Sequence, residues 1–313
     1  MNSAQASMYD DMIHRIEHLK TIRKWSKRGA ELRDWATSPT DPAPGSSLQL
    51  DDAGFLPELE LENPVTWHAR FPASVAAEHL AAVEVLASNW LEGTGSKPGG
   101  SPAWPSSILV LCRTAVETSA RTIWLLSSQD RETRRRRCAA EASKELGEQS
   151  KWLGFESLAR AARNEDAGKL SEAYEHLNEH VIPASAGAAR GTGIPGYSNT
   201  AVLAAEWIED NPPPHEKGLS SAFGPATKAF YSIGSSFTHG YHWTLNVIDG
   251  ETDYYNLVAD ALISAVLVTE CAVGLFEAQT LAEGKHWETE HLSPRLKPTI
   301  TAWAPRYYQS EQE

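Results

Sequence analysis

Apolar residues recur every three or four positions along most of this chain, which is the spacing of one face of an α-helix. Met12, Ile13, Ile16, Leu19, Ile22 and Trp25 follow it, with Lys and Arg between them, and predict a helix over 8–36. Val75, Leu80, Val83, Leu86 and Trp90 predict a second helix over 73–92, with Gly93 as its stop. Residues 106–127 are apolar almost all the way round, as in a helix buried on every side. Asp130 is placed to cap a charged helix running to about residue 150, and further helical stretches cover 152–164, 169–181 and 199–210. Pro225 fits a first helical turn, and the helix that follows reaches His239 with Gly240 as its stop. The last long helix covers 254–283. No stretch alternates apolar and polar residues as a half-buried strand does, so the predicted class is all-α.

Punctuation divides the chain. Pro39, Pro42, Pro44, Pro57, Pro64 and Pro72 make 37–72 read as a Pro-rich linker or extended arm. The expected organisation is an N-terminal helical arm (1–36), that linker (37–72), a helical bundle domain (73–283) and a polar C-terminal tail (284–313). GTGSKPGGSPAWP (93–105) and the Gly/Ala/Pro-rich stretch 183–197 read as loops.

Composition narrows the class. At 313 residues and 41% hydrophobic, the chain can bury roughly 75% of its unfolded surface and needs no metal or disulfide to hold a core. Cys112, Cys138 and Cys271 are far apart and odd in number, and no disulfide framework or cysteine zinc site follows. The net charge of −13 argues against a general DNA or RNA binder, which needs clustered positive charge. The N-terminus has no apolar signal core, and the run from Leu257 to Phe276, long enough for a bilayer, contains Asp260 and Glu270. It reads as a buried core helix, and the expected location is cytoplasmic, without a membrane partner.

One constellation carries chemistry. On the apolar helix SSILVLCRTAVETSARTIWLL, Arg113, Glu117 and Arg121 fall at i, i+4 and i+8 on one face. Charges in such a helix need partners. Glu117 is placed to bridge both arginines, and Asp260 or Glu270 to balance the excess cation. Such a row serves as a structural ion network that fixes helix register, or lines a polar pocket for an anion. On the segment 222–243, Phe230, Ile233 and Phe237 share one face, while Lys228, Ser232, Ser235 and His239 share another, with Tyr231 alongside. His239 there is either a cation favoured by the helix C-terminus or a titratable group brought against Glu117 and Arg113.

The R-x-x-x-E helix (Arg113 to Glu117) and the later Y-x-x-x-S-x-x-x-H-G segment (Tyr231, Ser235, His239, Gly240) resemble a group of uncharacterised, mostly bacterial helical proteins similar to the HEPN superfamily. The resemblance covers about 75–283. It implies a HEPN-like multi-helix bundle, often a homodimer, in a superfamily that includes RNases of toxin and defence systems. The R-x4–6-H motif of HEPN nucleases does not occur in this sequence.

Other signals are weaker. Gly191, Gly193 and Gly196 match G-x-G-x-x-G without a preceding strand and with Pro195 where a helix should open. His176 and His180 share a helix face among glutamates, a metal spacing that equally describes a solvated acidic face. Arg134 to Arg137 point almost all round a helix and read as a solvated, salt-bridged stretch. The expected function is a non-catalytic binding or interaction protein, a homo-oligomer with no cofactor and no metal. Its pocket holds a small anion, a nucleotide or an RNA end through Arg113, Arg121, Lys228, Tyr231 and Ser235. Two alternatives stand beside it: a metal-independent RNase or nucleotide-processing enzyme with Glu117 or His239 as general base, and a purely structural oligomerisation protein.

Overall fold

The structure is a computed structural model that describes residues 3–93, 106–218, 223–285 and 291–308, with side chains from residue 12 onward. Helices α1 (Ser3–Ala30), α4 (Pro64–Gly93), α5 (Ser106–Leu126) and α11 (Glu251–Thr280) pack against one another as the heart of the molecule. Helices α9 (Tyr197–Asp210) and α10 (Phe223–Thr238) cover α5 on one side, and α6 (Arg131–Ala162) runs along α4 on another. No strand occurs among the described residues.

α11 is the helix among the described residues that is long and apolar enough to cross a membrane, and its apolar window is 83% buried by the rest of the protein. Core burial explains its composition: Val266, Val268, Cys271, Leu275 and Phe276 have no exposed surface. The four stretches separated by sequence punctuation share one hydrophobic cluster. Ile22 and Trp35 enter it from 1–36, Leu48 and Val65 from 37–72, and Ile300 and Trp303 from 284–313.

Several boundaries differ from the periodicity reading. The 8–36 helix is interrupted at Glu31 and Leu32, and α2 (Arg33–Thr37) resumes with Trp35 fully buried, its indole donating to Glu277 at 2.6 Å. Residues 37–72 form α3 (Ser47–Asp52) and the first turns of α4 rather than an open linker. Pro64 occupies the start of α4, where its missing N–H is no loss, and Asp52 accepts from the Val65 and Thr66 amides at 2.7 and 3.2 Å. Pro72 sits buried inside α4, whose packing against α1 and α5 carries the helix past the missing hydrogen bond. The charged stretches at 130–150 and 152–164 are one helix, α6, capped by Asp130 accepting from Thr133 N at 2.8 Å.

Residues expected as loop at 183–197 begin as helix: α7 (Gly168–His176) passes through a π-turn (Leu177–Val181) into α8 (Ile182–Ala189). The expected tail contains α12 (Lys297–Trp303), whose Trp303 meets Trp207 edge-on at 5.0 Å. α10 ends as predicted. Gly240 takes a φ of 68°, its amide donates to Phe237 O, and Tyr241 N donates to Ser236 O at 2.9 Å, the paired bonds of a Schellman stop. Of the glycine-rich stretch 93–105, residues 94–105 lie outside the described residues.

Candidate functional site

α5 and α10 bring the two motif segments into contact. Their close approach depends on Gly234, where a Cβ would lie 3.0 Å from Arg113 Cβ. Across that contact Arg113 Nη2 pairs with Glu117 Oε2 at 2.8 Å and donates to the Tyr231 hydroxyl at 3.0 Å. That hydroxyl donates to Glu117 Oε2 at 3.1 Å. Burial, reinforced by the Glu117 charge and opposed by Arg113, raises the Tyr231 pKa above the usual tyrosine range. Each charge in this triangle is met by another member of it.

Ser235, one turn beyond Tyr231, is half-buried. Lys228 is exposed. His239 is also exposed, two turns from Tyr231 at the end of α10, and its ring lies 5.7 Å from that of Tyr241. The structure therefore unites Arg113, Glu117 and Tyr231, and leaves Lys228 and His239 outside their cluster.

The arginine row divides. Glu117 does not bridge to Arg121, whose Nη2 donates to Glu141 Oε2 at 2.5 Å and Glu145 Oε1 at 2.9 Å, both on α6. Neither Asp260 nor Glu270 balances the row. Asp260 is exposed and feels the charge of His18 of α1, and Glu270 is the centre of a separate buried network. There Arg28 donates to both carboxylate oxygens at 2.9 and 2.6 Å, Arg295 reaches Oε1 at 2.5 Å, and His215 Nε2 donates to Oε2 at 3.1 Å.

Arg134, Arg135 and Arg137 are not a solvated stretch. Arg134 is fully buried and forks onto Asp51 at 2.5 and 2.8 Å. Arg135 donates to the carbonyls of Asp51 and Ala53, and Arg137 to that of Trp124 at 2.5 Å. These side chains satisfy the carbonyl ends of α3 and α5.

Sequence reasoning missed a cleft of about 340 Å³ between the start of α4 and the middle of α6. Its walls are Leu59, Leu61, Trp67, Phe71, Pro72 and Leu146, and its polar edge is His68, Glu145 and Gln149. Trp67 and Phe71 are 45% and 61% exposed. The cleft adjoins the arginine row, because Glu145 also binds Arg121. The signal was the aromatic pair in TWHARF, hidden by the reading of 37–72 as linker. The His176 and His180 rings lie 5.4 Å apart and tilted, and among the described residues no group of three His, Cys, Asp or Glu converges as a metal site. The G-x-G-x-x-G segment follows a helix, α8, not a strand.

No family model, no curated protein and no solved structure matches this chain.

Proposed function

We propose that this chain is a non-catalytic binding protein, a HEPN-like helical bundle that holds a small, largely apolar ligand in the α4–α6 cleft. The observation that carries the reading is the cleft itself: an open concave surface of ligand size, walled by exposed Trp67 and Phe71 and bordered by a few fixed polar groups. Solitary exposed apolar side chains are ordinary on a protein surface, but aromatic side chains gathered around a hollow are a recognition surface.

The arginine row supports the cleft from behind. Arg121 holds Glu145 and Glu141 in place, so the polar edge keeps its geometry before a ligand arrives. The Arg113–Glu117–Tyr231 triangle locks α10 onto α5 and has this structural role. An anion, a nucleotide or an RNA end would find the charge of Arg113 and of Arg121 already neutralised by carboxylates. Phosphodiester chemistry would need a free base beside those arginines; Glu117 is already held by Arg113 and the Tyr231 hydroxyl, and His239 stands exposed two turns beyond Tyr231. The two segments that resemble HEPN proteins are the ones that meet in the triangle, and a homodimeric, cytoplasmic bundle is part of the reading.

Saturation-transfer NMR with indole and 2-phenylethylamine tests it. Both should receive saturation from the protein, and a Gln149→Trp variant, which fills the cleft mouth from an exposed position, should abolish the transfer. No transfer to either probe from the folded wild type, or equal transfer from the variant, contradicts the reading.

A further inference from the structure

We infer that the ligand of the α4–α6 cleft is an organic cation, an aromatic or aliphatic group bearing an ammonium; this rests on the cleft reading above. Hydrogen bonding fixes the argument. His68 Nδ1 lies 2.7 Å from the carbonyl oxygen of Pro64. A carbonyl only accepts, so Nδ1 carries the proton. In the neutral ring this leaves Nε2 as a lone pair, and that lone pair faces Glu145 Oε2 at 3.5 Å. With the ring in that form, His68 Nε2 and Glu145 Oε2 are two acceptors facing each other across one edge of the cleft. An ammonium N–H group supplies donors to both, and a hydroxyl supplies one.

Charge points the same way. Behind the edge one arginine, Arg121, faces two carboxylates, Glu141 and Glu145, an excess of one negative charge. The wall favours a cation as well, since aromatic faces attract positive charge. Arg70 already lies over Trp67, its guanidinium 4.3 Å from the ring centroid, which leaves the exposed Phe71 ring for a ligand. An anionic ligand would meet the Glu145 carboxylate, and among the described residues no lysine or arginine lines the cleft.

Three probes that share a phenylethyl group separate the charge from the cavity: 2-phenylethylamine, 2-phenylethanol and 3-phenylpropionate, titrated into the full chain by calorimetry. The amine should bind at least tenfold tighter than the alcohol, and the carboxylate weakest. Glu145→Gln should bring amine and alcohol to within about threefold of each other. Gln149→Glu, which adds a carboxylate at the same edge, should tighten the amine and weaken the carboxylate probe. Alcohol binding as tightly as amine overturns the cation inference and leaves the cleft reading standing; this is the result expected if His68 is an imidazolium that closes the gap itself. Tighter binding of the carboxylate overturns it too. If none of the three binds, both the inference and the cleft reading fall.

Discussion

Arg28 and Glu270 meet fork to fork across the core, guanidinium Nε and Nη2 reaching the two carboxylate oxygens at 2.9 and 2.6 Å. The pair belongs to an alternating chain of charges, Glu216–Arg28–Glu270–Arg295–Glu31, that ties α1, α11 and the C-terminal segment together. Glu270 has no exposed surface. Glu270→Gln leaves Arg28 buried beside a neutral amide, and the expected cost is about 3–5 kcal/mol, the range for breaking a buried pair by removing one partner. Urea unfolding measures it. A loss below 1 kcal/mol would mean that water reaches the network.

The same carboxylate sets a pH dependence. Burial by itself would raise its pKa; the hydrogen bond from His215, the pairing with Arg28 and the charge of Arg295 outweigh burial and hold it at about 2. A carboxyl depressed in the folded state stabilises above its unfolded pKa and loses that contribution as pH falls through the folded value. Stability from this group should therefore be full above about pH 4.5 and decline toward pH 2, by about 3 kcal/mol in all. Unfolding followed at successive pH values should show that decline in the wild type and a flatter profile in Glu270→Gln.

Asp51 and Arg134 test the arginine run. Both are fully buried, joined by two hydrogen bonds at 2.5 and 2.8 Å. Asp51→Ala should cost about 3–5 kcal/mol, whereas the double change Asp51→Leu with Arg134→Met should cost less than the sum of the two single changes. A double-mutant cycle by denaturant unfolding reads the coupling. Strict additivity would mean that the pair is not coupled in the folded state.

At Gly29, α1 comes close to both α4 and α11. A Cβ there would lie 2.9 Å from Val266 Cγ2 and 3.2 Å from Leu80 Cβ, the latter fixed to its own helix. Alanine gains about 1 kcal/mol of helix propensity, but overpacking costs about 1–3 kcal/mol. The expected outcome of Gly29→Ala is a net loss of stability and a lower melting temperature. A rise would show that α1 can shift outward without penalty.

Much of the architecture was legible because helical period and burial coincide. Val83, Ile123 and Val268 sit on apolar faces and are buried in the helices predicted for them. The Asp130 cap and the Gly240 stop follow from local chemistry and stand where the sequence puts them. Proline misled where tertiary packing overrode it. Pro72 reads as a helix breaker, yet α4 continues through it, with Pro72 itself and Ala69, Ala73 and Ala76 buried against the core.

Charge pairing was harder to read, because period gives a helix face but not what lies across from it. Arg113 and Glu117 pair as their spacing implies, while Arg121 turns to α6 and Glu270 to Arg28, residues far away in the chain. The cleft was hidden for the same reason: Phe71 and Glu145 share it across α4 and α6, and no local pattern joins them.

A crystal structure of the protein soaked with 2-phenylethylamine decides whether the α4–α6 cleft takes an organic cation. The predicted result is density for the ring against Phe71, with the ammonium within hydrogen-bond distance of His68 Nε2 and Glu145 Oε2. A cleft closed by its own side chains, or an amine bound elsewhere with this cleft empty, would contradict it.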